Sequence, residues 1–180
     1  MIGFLVVAVL VTAVAAWTDW RSGTIPNWLT LGALACAPFA HVALALAAGQ
    51  TKQVAFTEGS LSVLGGFLCS LTPLLLYTKN AIGGGDVKLF VAIGALLGWR
   101  MGIEAEMYGF VAAALIAPAR LAYEGKLFRT VSNAFFLTLN PMLPKGRRRE
   151  IVPEVMSWFR MGPAIFLGTL FTAYVHWRAP

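Results

Sequence analysis

Ile82-Gly83-Gly84-Gly85-Asp86-Val87-Lys88-Leu89-Phe90 is the stretch on which the reading of this chain turns. Three glycines run into a carboxylate, and the carboxylate opens an apolar run from Val87 to Trp99. Lacking a Cβ, glycines allow positive φ and let another chain approach closely. An ionisable group at the mouth of an apolar segment is by default a functional-site candidate. Asp86 is therefore the first residue singled out, with Gly83, Gly84 and Gly85 as a backbone edge where an extended substrate can lie. A second carboxylate must face it before much chemistry follows. The candidate is Asp19, in Thr18-Asp19-Trp20-Arg21-Ser22-Gly23-Thr24-Ile25-Pro26-Asn27.

The surroundings of both aspartates are apolar. Hydrophobic residues make up 58% of the 180, and charged residues 12%, where soluble chains carry about 45–50% and about 25%. A soluble fold of this size cannot bury that much apolar surface, so the chain belongs in a bilayer, as a single domain over residues 1–180. The net charge of +6 does not call for nucleic acid, because the basic residues gather in loops that flank apolar runs. Cys36 and Cys69 sit inside such runs with no CxxC and no neighbouring histidine. Neither a metal site, a cofactor nor a disulfide framework is expected.

Six apolar runs of membrane-spanning character are expected, giving an all-α polytopic membrane protein. They cover Met1–Trp17, Trp28 to about Ala48, about Glu58–Tyr77, Asp86–Trp99, Ala105 to about Ala119, and Met161 to about Trp177. The first also has a small-residue cleavage pattern at Ala13-Val14-Ala15, but it lacks the basic start of a signal peptide. Asn27 is the expected cap of the second helix. Gly49–Thr57, Thr78–Gly85 and Arg100–Glu104 are the expected connections. The fourth run is only about 20 Å long at 1.5 Å per residue, so it should sit among other helices. Between Arg120 and Arg160 the chain turns basic, and Leu127–Leu139 has the spacing of an amphipathic helix on the membrane surface. An alternative is a plain soluble-facing loop. Eleven of the fourteen basic residues fall in the loops around 18–27, 78–88 and 120–160. These loops therefore face the cytoplasm and both termini lie outside. Asp19 and Asp86 then share one membrane face.

Two carboxylates in one site cannot both ionise cheaply, so one keeps a proton. Such a pair can activate water and protonate a leaving amine without a metal. Each residue also has a plainer reading. Asp86 can serve only as a helix cap, and Asp19, beside Arg21, can be an interfacial charge. Lys88 and Arg21 read as interfacial anchors, and His41 and His176 as packing residues.

Gly83-x-Gly85-Asp86 resembles the GxGD signature of intramembrane aspartyl proteases. The whole chain resembles the type IV prepilin peptidases in their short form. Asp19–Thr30 (DWRSGTIPNWLT) is similar to that family's first aspartate and its Ile-Pro-Asn step. Gly83–Trp99 (GGGDVKLFVAIGALLGW) is similar to its second aspartate and helix, and Met161–Gly168 (MGPAIFLG) to the opening of its last helix. The resemblance implies that Asp19 and Asp86 are the catalytic pair. It also implies a prepilin substrate, cut after a short basic leader at the cytoplasmic face of the bacterial inner membrane. Longer members carry an N-terminal cytoplasmic domain with paired CxxC motifs, associated with N-methylation. Here the first span begins at Met1, so methyl transfer is not expected, as in the Flp/Tad-type relatives. A presenilin-type protease fits less well, since its other aspartate follows a tyrosine within a span. Two alternatives stay open: an archaeal preflagellin-type peptidase, and a small transporter or assembly subunit using the aspartates as a proton relay. The sequence leaves the oligomeric state undetermined.

Overall fold

Outside the central helix, many large apolar side chains point outward and many small ones inward. In the structure, a computed structural model describing residues 2–123 and 160–177, Trp28, Phe39, Phe56 and Phe67 are exposed. Ala8, Ala15, Ala37, Ala55 and Ser62 are buried. That inversion suits helices that pack closely against one another and turn bulky apolar groups to lipid. The buried threonines satisfy themselves: Thr12 bonds the Ala8 carbonyl, Thr169 that of Ile165 and Thr172 that of Gly168.

The described residues form helices and connections, with no strand among them. The helices are α1 (Ile2–Ser22), α2 (Asn27–Ala47), α3 (Lys52–Thr78), α4 (Gly84–Tyr123) and α5 (Gly162–Trp177). Three of them, α1, α2 and α3, are long and apolar enough to cross a membrane. The chain divides into two compact units, residues 1–113 with 160–180, and residues 114–159. Of the second unit the described part is the end of α4. The expected amphipathic helix at Leu127–Leu139 lies outside the described residues.

Several expected boundaries move, each for a local reason. The first helix does not stop at Trp17. It runs to Ser22, where Gly23 takes φ +68° and its amide bonds the Asp19 carbonyl at 2.9 Å, a left-handed helix stop. Asp19 is thus in the last turn of α1, not in a loop. Asn27 is not the cap of α2. Pro26 holds that place in extended backbone, so the Asn27 side chain is left free for another partner. The third helix starts early, at Lys52, because Thr51 caps it by accepting the Val54 amide. It ends where Asn80 takes φ 55° and the amides of Asn80 and Ala81 close onto Tyr77 and Leu76.

The largest difference concerns the expected fourth and fifth spans. They are two arms of α4, and the connection is not Arg100–Glu104. The backbone departs from helix at Gly98, at φ 74° and ψ 172°, a region essentially closed to residues with a side chain. The arms fold back on each other there. Gly102 comes against Gly94, and the Phe90 and Phe110 rings meet at 5.3 Å. A break of this kind frees the carbonyls of the preceding turn. Two of them are covered from neighbouring helices. Ser62 donates to the Ala95 carbonyl at 2.7 Å, and His41 Nε2 meets that of Leu96 at 3.1 Å. His41 also stacks on Phe4, at 3.7 Å between rings. Irregular backbone inside a membrane protein is tolerated where its polar groups find such partners.

The first arm, residues 84–97, is the centre of the bundle. Leu89, Phe90, Ala92, Ile93 and Ala95 are fully buried. Around it, α1 packs on α5 and α2 on α3. A Cβ at Gly65 would overlap the Gly94 carbonyl, so α3 crosses this arm almost backbone to backbone. Asp86 stands at the head of this central helix.

Candidate active site

Asp86 is the third residue of α4, and its neighbours explain its pose. The Gly83 carbonyl accepts the amides of Asp86 at 3.1 Å and Val87 at 3.3 Å, which opens the helix. The Asp86 carboxylate reaches back to the Gly83 amide at 3.1 Å. This is the returning half of a capping box. Asp86 is therefore not the cap residue itself. Gly83, Gly84 and Gly85 do not use positive φ either; among the described glycines that falls to Gly23, Gly49 and Gly98. They use close approach. A Cβ at Gly83 would meet the Asp86 carboxylate at 3.2 Å, one at Gly84 the Tyr77 ring at 3.5 Å, and one at Gly85 the Ile25 side chain at 3.3 Å.

Ile25 belongs to the connection after Asp19, so the two singled-out stretches meet here. A second link joins them: Lys88 Nζ donates to Asn27 Oδ1 at 2.8 Å. Lys88, read from sequence as an interfacial anchor, is bonded within the site instead. Arg21 keeps the anchor-like pose, over the Trp17 ring at 4.9 Å.

Asp19 faces the same region from α1. It is buried, at 6% exposure, and Asp86 is at 8%. Its Oδ2 accepts the Gly162 amide at 2.9 Å, across 143 residues of sequence. Gly162 opens α5, where the helix end carries partial positive charge that suits an anion. Arg160 donates to the Trp20 carbonyl, so residues 160 and 162 both hold the last turn of α1. Neither Arg160 nor Gly162 was singled out from sequence, although the motif around Met161 was quoted.

Asp86 precedes the apolar run 87–99 and lies at its mouth. Burial pushes its carboxyl up to about 7; the Gly83 amide opposes the shift, and the charge of Asp19 adds to it. Ile25, six residues after Asp19, packs on Gly85, next to Asp86, so the two acids lie at the same end of the bundle. Gly83, Gly84, Gly85, Asp19 and Asp86 all come together at this end. His176 is elsewhere, paired with Glu104 at 2.6 Å. Glu106, buried at 5% exposure and hydrogen-bonded by Thr72, was missed in the sequence because it sits in a run of mixed polarity, Arg100–Met107. No group of three or more metal-ligating residues occurs among the described residues.

A bundle of apolar helices with buried carboxylates on two of them defines a class only broadly, that of membrane proteins with acids at a helix end. The particular family follows from comparison. The profile of the type IV leader peptidase family matches residues 5–118, more than half of the chain, and the chain belongs to that family and so to the peptidases. No curated protein and no solved structure matches it. The matched range holds Asp19, Gly83–Asp86 and Lys88, but ends before Gly162.

Proposed function

We propose that the protein is an aspartyl endopeptidase that removes the leader of a prepilin of the Flp type, at the cytoplasmic face of the bacterial inner membrane. The observation that carries this is the meeting of two buried carboxylates, Asp19 and Asp86, on separate helices, with the Asp19 charge among the causes that keep the proton on Asp86. One carboxylate takes a proton from water as the water attacks the scissile carbonyl. The other gives a proton to the leaving amine as the C–N bond breaks. Tyr77 packs at Gly84 and Ile25 at Gly85, and an extended peptide would run along the Gly83–Gly85 backbone beside them. The basic bias of the loops on this face supports its cytoplasmic orientation. The six-span topology with both termini outside belongs to the same proposal. A proton relay would favour acids deep in the spans, whereas Asp19 lies in the last turn of α1 and Asp86 in the first turn of α4.

The test is cleavage of a purified prepilin by the purified protein in liposomes. Asp19→Asn and Asp86→Asn should each abolish cleavage while the protein still accumulates. The double variant should be no worse than either single one, since residues acting as a unit are not additive. Near-normal cleavage by Asp86→Asn would reduce that residue to its capping role and end the assignment.

A further inference from the structure

We propose that Gly162 is a positioning residue of the carboxylate pair: its amide holds one oxygen of Asp19, and its missing side chain lets that oxygen come so close. The inference rests on the peptidase reading of Asp19 and Asp86. It adds a third element, from a segment beyond the part of the chain matched by the family profile.

The geometry has three parts. First, the Gly162 amide is a donor that α5 itself cannot use, because the opening amides of a helix have no carbonyl a turn earlier. It is spent on Asp19 Oδ2, at 2.9 Å in a buried setting. The next residue, Pro163, has no amide hydrogen, so no second donor follows in line. One oxygen of Asp19 is thereby fixed, and the other has no hydrogen-bond partner among the described residues.

Second, the contact tolerates nothing larger than hydrogen. A Cβ at residue 162 would lie 2.8 Å from Asp19 Cβ, 2.9 Å from Oδ2 and 3.2 Å from Cγ. The atoms met are the stem and the carboxylate of the aspartate itself. Relief can come only by turning Asp19 away or by moving α5 off α1.

Third, the segment is anchored twice. Arg160 takes the Trp20 carbonyl while Gly162 takes the Asp19 side chain. From within α1, the Gly23 amide takes the Asp19 carbonyl. The side chain of Asp19 is thus set by a donor from α5, and its carbonyl by the turn that ends α1. A helix end fixed in this way holds its carboxylate in one direction, which is what orientation toward a reacting water requires.

The decisive experiment replaces residue 162 with glycolic acid, turning one amide into an ester. Shape is kept and a single donor is lost. In the prepilin cleavage assay, kcat should fall roughly ten- to a hundredfold, the range for losing a hydrogen bond to a charged group, with KM little changed. Gly162→Ala should show the same effect, more strongly. Gly168→Ala is the control. That glycine is packed more tightly still, against Gly109 on the second arm of α4, and lies farther along α5 from Asp19. It should lower thermal stability and leave the kcat of the folded protein where it was. An ester variant with the parent's kcat, while Asp19→Asn is dead, would overturn the inference alone. Cleavage that survives Asp19→Asn would overturn the reading of the pair, and this inference with it.

Discussion

The two ends of the central arm of α4 handle polar groups in opposite ways. At its far end, Gly98 breaks the helix, and the freed carbonyls of Ala95 and Leu96 are met by Ser62 and His41. Nearby elements follow the same rule, with His176 set against Glu104. Donor meets acceptor throughout. At the head of the arm, two acids are buried, each meeting a backbone amide. Among the described residues neither is in a salt bridge. A fold able to match its polar groups at one end does not leave such a conflict at the other for want of means. Perturbed carboxyls of this kind gather at functional sites, and rules kept elsewhere in a protein tend to be broken there.

The sharpest way to break this comparison is to remove the conflict. The folded Asp86 carboxyl keeps its proton up to about pH 7, whereas an unfolded aspartate loses it near 4. Between those values the folded state binds more protons, so stability falls as pH rises through the window. Asn at this position has no such loss. Asp86→Asn should therefore be more stable than the parent above pH 7, by up to about 4 kcal/mol. Below pH 4 the advantage should vanish. Thermal unfolding in detergent at pH 4 and pH 8 reads the difference. Equal stability of the two proteins at pH 8 would mean that the fold does not hold the Asp86 carboxyl in its protonated form.

At the matched end, the effect should have the opposite sign and be smaller. His41→Phe keeps a ring to stack on Phe4 but takes away the donor to the Leu96 carbonyl. A buried acceptor left without a partner costs about 1–3 kcal/mol. The variant should melt earlier at every pH and, once folded, cleave at the parent's rate. A drop in kcat without a drop in stability would mean that the two ends are not independent.

Much of this contrast was legible in the sequence, and the remainder was hidden for identifiable reasons. Asp86 announced itself because a charge after three glycines, before an apolar run, has few other uses. Asp19 was found as its partner, yet placed in a loop, since nothing local shows that Gly23 rather than Trp17 ends the helix. The turn at Gly98 was set a few residues late. Arg100, Gly102 and Glu104 look like a polar connection, while the actual reversal uses one glycine and borrows its hydrogen bonds from α2 and α3. His41 could not be connected to that turn, because its partner is 55 residues away. Gly162 was hidden in the same way. Its role depends on an aspartate 143 residues earlier, and no periodicity carries that information.

The smallest expected effect returns to the head of the arm. Lys88 on α4 and Asn27 at the start of α2 are joined by one hydrogen bond at 2.8 Å, in an exposed setting. The same two segments are also held by Ile25 packed on Gly85. An exposed charged contact with a second tie beside it should add little, about 0.2–1 kcal/mol. Lys88→Met, Asn27→Ala and the double variant form a cycle that isolates the pair. The coupling should be positive but under about 1 kcal/mol, with cleavage within a few-fold of the parent. Zero coupling would return Lys88 to the role of an interfacial anchor. A coupling as large as the cost of His41→Phe would mean that the head of the arm depends on its polar matches as heavily as the far end does, and the contrast between the two would then rest on the aspartates alone.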